Sequence, residues 1–203
     1  MLETPGFAYV NHNMYPKIEN VTVSELIANQ RGGKSATVLL NGKPIRLNLK
    51  SLTTPFECSA YDKESSRKSL DTRANDELQA WCQQLDKKIL PFATKLGCKE
   101  ANYKSLLKEQ KEGYAPLFRQ KITISAEGKS PCKFFEAGSK RRLADKEVSE
   151  LSWVDLEFNC MCKISSLYVN GPNWGLVATP EAILCRQTDA CPFTDSGEEG
   201  GGE

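Results

Sequence analysis

The sequence predicts a mainly β protein with inserted helices, arranged as a small antiparallel barrel or sandwich. Three observations predict this class. At least five short segments alternate apolar and polar residues, which is the period of a half-buried strand. Strands and helices do not alternate in the regular order of a parallel sheet, and no internal repeat occurs. At 203 residues, the chain is long enough for one domain with insertions or tails.

The first predicted strands follow an extended N-terminal arm, residues 1–35, which contains one short helix candidate beginning at Ser24. After the arm, apolar residues alternate on both sides of Asn41–Gly42, the dipeptide that most strongly favours a tight hairpin turn. The core domain is therefore expected to span residues 36–187 and to begin with this hairpin.

A helical insertion is predicted at about residues 75–112. Its first helix is capped by Asn75 or Asp76, shows an apolar stripe at a spacing of three and four residues, and ends before Gly97. A second, shorter helix is predicted at residues 99–112, directly before a glycine. The two helices are expected to interrupt the run of strands.

Strand patterns return after the insertion and are strongest over residues 153–185. There, two alternating runs flank the hexapeptide NGPNWG at 170–175, whose glycines and proline predict a turn. The last segment, residues 188–203, contains three consecutive glycines and five acidic residues but little apolar surface. It is therefore expected to form a flexible acidic tail.

The motifs of common enzyme classes do not occur in this sequence. It contains no glycine-rich phosphate-binding loop, and its single histidine, His12, lies in the predicted arm. The eight cysteines are never spaced as in zinc sites, which indicates free thiols in a reducing compartment. We therefore expect no enzyme activity, no cofactor and no metal.

Neither a run of 18 apolar residues nor a secretory signal is present in the sequence. We therefore expect no membrane partner. The protein is expected to be intracellular, in the nucleus or a viral replication compartment rather than in the cytoplasm.

Aromatic residues recur beside basic residues, a combination that suits single-stranded nucleic acid. Bases stack on aromatic rings at about 1–3 kcal/mol each, while lysine and arginine attract the phosphates. Aromatic residues in strands also serve the core, and only every second strand residue faces outwards. The residues predicted to contact nucleic acid are Tyr61, Lys63, Arg67, Lys68, Phe118, Arg119, Lys121, Lys133 and Phe134.

Charge is distributed unevenly along the chain. The net charge is +1, but the predicted tail carries five acidic and no basic residues, which leaves +6 on residues 1–187. This asymmetry favours nucleic acid or an acidic partner for the body of the protein. Acidic tails also serve solubility, so the asymmetry alone does not decide between the two interpretations.

Several short motifs, taken in order, resemble those of a known family. The first three are the Thr-Pro-Phe turn at 54–56, the aromatic and basic loop at 61–68, and the helix end Leu85-Asp86-x-x-Ile89. They are followed by GYAPLFRQKITI, by W-G-L in the last hairpin, and by the aromatic and acidic end CPFTDSGEE. This order is similar to that of replicative single-stranded-DNA-binding proteins of tailed phages and large nucleocytoplasmic DNA viruses.

The resemblance implies an OB-type barrel with an inserted helix. It also implies a protein that coats single-stranded DNA during replication, recombination or repair, with little sequence preference. A replicative polymerase or helicase would be recruited through the tail, and a homodimer is left open. The tail residues expected to bind the protein partner are Phe193, Asp195, Glu198 and Glu199.

Two other functions fit the same sequence. A β-rich structural or scaffolding protein would use the tail only for solubility, would form stable oligomers and would show no salt-sensitive DNA binding. A thiol- or metal-dependent enzyme would use some of the eight cysteines and would show bound metal or a thiol of unusually low pKa.

Deletion of residues 189–203 is expected to tighten the binding of single-stranded DNA, because the acidic tail would otherwise occupy a basic groove as a polyanion. The gain should be largest at low salt, since exposed charges are screened over about 10 Å at 0.1 M. Anisotropy titrations of labelled oligo-dT with the full-length and truncated proteins, at low and moderate salt, measure this effect. Equal affinities across that salt range would show that the tail does not mimic DNA, while leaving DNA binding itself untouched.

Overall fold

The computed structural model describes residues 15–29, 32–60 and 65–186. Two curved β-sheets and one long α-helix form most of the regular structure in this part of the chain. The strands are β1 (Val21–Val23), β2 (Ile27–Ala28), β3 (Lys34–Leu40), β4 (Ile45–Thr53), β5 (Ser59–Ala60), β6 (Arg67–Arg73), β7 (Tyr103–Lys104), β8 (Leu107–Lys108), β9 (Leu117–Thr123), β10 (Lys133–Glu136), β11 (Glu157–Asn170) and β12 (Asn173–Cys185). The helices are α1 (Asp76–Ile89) and α2 (Asp145–Ser149), with 3-10 turns at Leu90–Phe92 and Glu100–Asn102. The predicted mainly β class with inserted helices is confirmed, and the two curved sheets are consistent with an OB-like barrel.

A long hairpin formed by β11 and β12 organises the larger sheet. The two strands pair along their whole length, and Gly171, with a φ of 56°, lies in the turn that the sequence predicts. On its other side, β11 pairs first with β4 and then with β3. β12 pairs in parallel with β10 and β7. The hairpin therefore holds most of the other strands of this sheet in place.

The Asn41–Gly42 turn joins β3 to β4. Both residues have positive φ, 51° and 74°, and Leu40 and Lys43 exchange two backbone hydrogen bonds, as the dipeptide predicts. The predicted hairpin does not continue beyond the turn, because β3 and β4 pair with different parts of β11. β3 pairs in addition with β1 and β2. The turn is local, whereas the divergence of the two strands depends on a distant partner.

The smaller sheet has the strand order β5–β6–β9–β8 and packs its apolar face against the larger sheet. Leu70 and Phe118 lie in the shared core and are almost fully buried. A buried polar chain also connects the sheets: Cys160 Sγ donates to Gln120 Oε1 at 3.5 Å, and Gln120 Nε2 donates to Thr72 Oγ1 at 3.5 Å. These bonds satisfy polar groups that would be costly to bury alone.

Helix α1 begins at the predicted cap, where Asn75 Oδ1 accepts a hydrogen bond from Leu78 N at 2.9 Å. Trp81 Nε1 donates to Pro16 O at 2.9 Å, which ties the start of the described chain to the helix. No helix in the described part of the chain is long and apolar enough to cross a membrane. The buried stripe of α1 is the one that the spacing predicts, Leu78, Trp81, Cys82, Leu85 and Ile89.

The prediction of a second helix at residues 99–112 is wrong. The segment contains a single 3-10 turn followed by β7 and β8. Tyr103 packs its ring against Trp174, with 4.8 Å between the ring centroids, and Leu107 lies opposite Phe118 on β9. These tertiary contacts outweigh the helix propensity of the surrounding lysines and glutamates, since an isolated short helix is only marginally stable.

The short helix predicted at Ser24 is also not formed. Ser24 Oγ accepts a hydrogen bond from Thr37 N at 2.9 Å, and Ser24 lies between β1 and β2, which both pair with β3. A serine hydroxyl that satisfies a backbone donor in this way competes with helix formation. Part of the predicted N-terminal arm thus belongs to the larger sheet, while residues 1–14 and the predicted tail lie outside the described residues.

Candidate nucleic-acid interface

A groove of about 360 Å³ is lined by residues from both sheets. None of the described residues that line it is an aspartate or a glutamate. The lining consists of Arg67 of β6, residues 119–121 of β9, residues 168–170 of β11, residues 176–178 of β12, the segment 104–106, Asn29 and Gly33.

Four basic side chains line this groove, and strand register explains why three of them meet. In the antiparallel pair of β6 and β9, Ser69 lies opposite Lys121. Arg67 and Arg119 are each two residues away on their own strands, so they share the face of Lys121. Lys121 Nζ donates to Ser69 Oγ at 2.6 Å, which fixes part of this face. The fourth cation, Lys104, comes from β7 of the larger sheet.

These four cations lack the ion pairs that most other described arginines form. None of the four pairs with a carboxylate among residues 15–29, 32–60 and 65–186. The groove therefore concentrates positive charge, which the nearby carboxylate of Asp71 opposes without forming an ion pair. The arginines that do form ion pairs are Arg46, Arg73, Arg141 and Arg186.

Electrostatic crowding acts on Lys121 in particular. Burial by neighbouring atoms lowers the pKa of Lys121, the positive charges of Arg119 and Arg67 lower it further, and Asp71 acts in the opposite direction. Asp71 lies opposite Arg119 in the strand pair, yet its Oδ1 is buried and accepts no hydrogen bond within the described chain. The charged form of Lys121 is thus disfavoured by the fold, and a bound polyanion would relieve this repulsion.

Tyr168 places an aromatic ring beside the cations. Its side chain is half-buried; burial raises the pKa of Tyr168, while the positive charge of Arg119 lowers it. A bulge in β11 between Ile164 and Ser166 sets the direction of this side chain. The even-numbered residues from 158 to 164 are buried, whereas beyond the bulge Leu167 is buried and Tyr168 lines the groove.

Lys104 reaches the groove because β7 lies very close to β12. A Cβ atom at Gly175 would lie 2.3 Å from the carbonyl oxygen of Lys104, so only glycine permits this approach. The ring of Tyr103 packs against Trp174, whose Nε1 donates to Lys99 O at 2.8 Å. Ring packing and close backbone contact together hold the segment that carries Lys104.

The residues predicted to contact nucleic acid are distributed over several parts of the structure. Arg67, Arg119 and Lys121 lie together in the groove. Lys68 does not line the groove. Burial raises the pKa of Cys58, and the positive charge of Lys68 lowers it by a smaller amount. Lys133 is exposed on β10 and lies outside the groove. The groove therefore gathers part of the predicted set.

The stacking role expected of Phe118 and Phe134 is corrected by their burial. Phe118 is 0% exposed and Phe134 is 2% exposed. Phe134 packs edge-on against Trp153, with 6.1 Å between the ring centroids. Strand residues alternate in direction, so these two rings face the core while the adjacent Arg119 and Lys133 are exposed. Neither ring offers a face to a base, so both contribute to the core instead.

Some predicted residues lie outside the described chain, and two groove residues were not predicted. Tyr61 and Lys63 of the β5–β6 loop lie outside the described residues, as do the tail residues, so their roles stay predictions. Lys104 and Tyr168 each belong to an aromatic and basic pair in the sequence, Tyr103 with Lys104 and Lys163 with Tyr168, but the predicted contact set did not include them. Lys104 directly follows a tyrosine, which is the same aromatic and basic pairing that indicated other candidates, whereas Tyr168 depends on the bulge. The four tail residues concerned are Phe193, Asp195, Glu198 and Glu199.

Three of the described cysteines, Cys58, Cys132 and Cys185, lie where burial opposes formation of the thiolate. Burial raises the pKa of Cys58 to about 12, of Cys132 to about 12 and of Cys185 to about 11. A thiol-dependent enzyme would need a shift in the opposite direction. Within the described residues, no group of three or more histidine, cysteine, aspartate or glutamate side chains is placed to hold a metal ion.

The variant Lys121→Met is expected to be at least as stable as the wild type at pH 7. The pKa of Lys121 is lower in the folded than in the unfolded protein, so the wild type should gain stability as the pH rises towards 10.5, where the unfolded chain holds more protons. The variant should lack this part of the rise. Urea unfolding between pH 7 and pH 10.5 measures both effects.

The matched control is Lys50→Met, since Lys50 is an exposed lysine on β4. It should change the unfolding free energy by no more than about 0.5 kcal/mol and keep the pH dependence of the wild type. A Lys121→Met variant that is clearly less stable than this control at pH 7, with an unchanged pH dependence, would show that the cation cluster does not strain the fold.

Comparison with known proteins identifies similar solved structures. No protein-family model matches the chain, and no curated protein matches it in sequence. The chain is similar to the single-stranded DNA-binding protein from bacteriophage Enc34, with 12% sequence identity over 88% of this chain and 96% of that chain and a TM-score of 0.48. The C-terminally truncated form of that protein shows 13% sequence identity over 85% of this chain and 98% of that chain, with a TM-score of 0.47. Its complex with single-stranded DNA shows 12% sequence identity over 87% of this chain and 99% of that chain, with a TM-score of 0.48. These proteins are of the class that the sequence motifs resemble.

Proposed function

We propose that this protein binds single-stranded DNA along the groove between its two sheets, with little sequence preference and without catalysing a reaction. The observation that carries the proposal is the set of four groove cations, none of which has a carboxylate partner in the described chain. Unpaired cations on one surface repel one another, so the fold is strained unless an anion binds there. A polyanion of regular charge spacing suits this arrangement.

The chemistry of the groove accounts for both parts of a nucleotide. Lysine and arginine neutralise phosphates and release the counterions bound to the strand, which makes the affinity dependent on salt. Tyr168 offers a ring on which an unpaired base can stack, and every base has such a face, so the contact tolerates any sequence. In a duplex the bases are already stacked on one another. The combination of cations and an accessible ring therefore favours single strands.

The acidic C-terminal segment gives this function a means of regulation. The body of the protein has a net charge of +6 and the last 16 residues carry five acidic side chains, so the segment can compete with DNA for the groove. Displaced by DNA, it would be free to recruit a replicative polymerase or helicase. We propose that the protein acts in DNA replication, recombination or repair, inside the compartment where that DNA is copied.

The variants Arg67→Ala and Arg119→Ala are each expected to weaken DNA binding and to lower the slope of log K against log salt by about 0.7, because each removes one phosphate contact from a single strand. The control is Arg46→Ala, which removes the same charge from a residue that lies outside the groove and pairs with Glu181 at 2.7 Å. Anisotropy of labelled oligo-dT over a series of salt concentrations measures the slopes.

Equal slopes for the wild type and both groove variants would exclude the groove as the binding site. The same labelled strand, annealed into a duplex and used as a competitor, tests the preference for single strands and should fail to displace the oligo-dT. Absence of salt-sensitive binding under all conditions would discard the DNA-binding function and favour a structural or scaffolding protein, which predicts stable oligomers in solution.

A further inference from the structure

We infer that Asp86, a residue of helix α1 that does not line the groove, is a positioning residue for DNA binding because it fixes the segment that presents Lys104. The inference rests on the proposed function and adds to it a residue outside the groove. It depends on three features: the contacts of Asp86, the alternating direction of residues 103–105, and the short length of β7.

The carboxylate of Asp86 holds two side chains at once. Its Oδ1 accepts a hydrogen bond from the Tyr103 hydroxyl at 2.6 Å, and its Oδ2 accepts one from Ser105 Oγ at 2.6 Å. Both distances lie within the range for charge-assisted hydrogen bonds from a hydroxyl to a carboxylate. Desolvation raises the pKa of Asp86, and the hydrogen bonds from Ser105 and Tyr103 lower it. The two hydroxyls thus stabilise a carboxylate that burial disfavours.

The two residues held by Asp86 flank Lys104. Successive residues of an extended chain point in opposite directions, and Tyr103 has extended dihedral angles, φ −65° and ψ 136°. Tyr103 and Ser105 both reach towards helix α1, so the Lys104 side chain is directed away from the helix, and Lys104 lines the groove. Two bonds, one on either side of Lys104, fix its direction in a way that a single bond would not.

The strand that carries Lys104 is very short, and its segment is also held by the packing of Tyr103 on Trp174 and by a backbone hydrogen bond at 2.7 Å from Arg119 N to Leu106 O. β7 is only two residues long and pairs with β12 at two positions, Tyr103 opposite Trp174 and Lys104 opposite Gly175. A strand this short contributes little by itself. Ser105 Oγ also accepts a hydrogen bond from Leu107 N at 3.0 Å, so the Ser105 hydroxyl that donates to Asp86 also shapes the start of β8. Loss of the carboxylate would therefore loosen the presentation of Lys104.

Electrostatics alone predicts the opposite effect of a mutation, which makes the inference easy to test. Removal of a negative charge near a polyanion site should strengthen binding, since like charges repel. If Asp86 positions Lys104, its removal should instead weaken binding by loosening a cation. The sign of the change in affinity therefore separates a positioning role from a simple charge effect.

The experiment is a double-mutant cycle on oligo-dT affinity with Asp86→Leu, Lys104→Ala and the double variant. Lys104→Ala should lower the salt slope by about 0.7. Asp86→Leu should weaken binding and lower the slope by a comparable amount, and the double variant should lose nothing beyond Lys104→Ala. Asp86→Asn, which keeps the size and one acceptor oxygen, should restore part of the binding.

Two further variants separate positioning from general destabilisation. Asn75→Ala removes the cap of the same helix and should cost about 1 kcal/mol of stability without changing the slope. Tyr103→Phe removes one of the two bonds to Asp86 at a residue that does not line the groove, and it should reduce affinity less than Asp86→Leu, which keeps the test informative if Asp86→Leu does not fold.

Two distinct results would overturn these conclusions. Wild-type affinity and slope in a folded Asp86→Leu protein, or in Tyr103→Phe if the first does not fold, would overturn the positioning role alone. Absence of binding by the wild type would overturn the proposed function and this inference with it.

Discussion

The bulge in β11 between Ile164 and Ser166 is the constraint on which both the core and the groove depend. It reverses the alternation of a strand that pairs along its whole length with β12, so the even-numbered residues up to Ile164 are buried, whereas after the bulge Leu167 is buried and Tyr168 lines the groove. At the same point, β11 changes its partner from β4 to β3. One extra residue thus determines how the larger sheet curves and which side chains it offers to solvent.

The groove shows how binding can be built at the expense of stability. Arg46 and Arg73 are compensated by carboxylates elsewhere on the surface, whereas the cations of the groove have no such partners in the described chain. Burial lowers the pKa of Lys121, and the nearby positive charges of Arg119 and Arg67 lower it further. Functional sites often carry such strain, because the ligand supplies the missing interactions. The same charges that destabilise the free protein would then provide affinity for a polyanion.

Residues that act locally could be predicted from the sequence, and those that depend on distant partners could not. The Asn75 cap of α1 and the Asn41–Gly42 turn follow from a few neighbouring residues, and both were predicted. The role of Phe118 could not be assigned without knowing which residues of β9 face the core. Residues 99–112 were expected to be helical from their local pattern. Their contacts with Trp174 and Asp86, which come from other parts of the chain, could not be foreseen from that pattern. Tyr168 was missed because no short pattern reveals the bulge before it.

Ultraviolet cross-linking of oligo-dT to the full-length protein, followed by peptide mapping, tests most directly whether nucleic acid lies in the groove. We expect the cross-link at Tyr168, because its ring faces the groove and unpaired bases stack on aromatic rings. Tyr114 serves as the internal control, since it is 73% exposed but does not line the groove. A cross-link at Tyr168 and none at Tyr114 is the predicted result. A cross-link at Tyr114 with none at Tyr168 would contradict the assignment of the groove as the DNA-binding site.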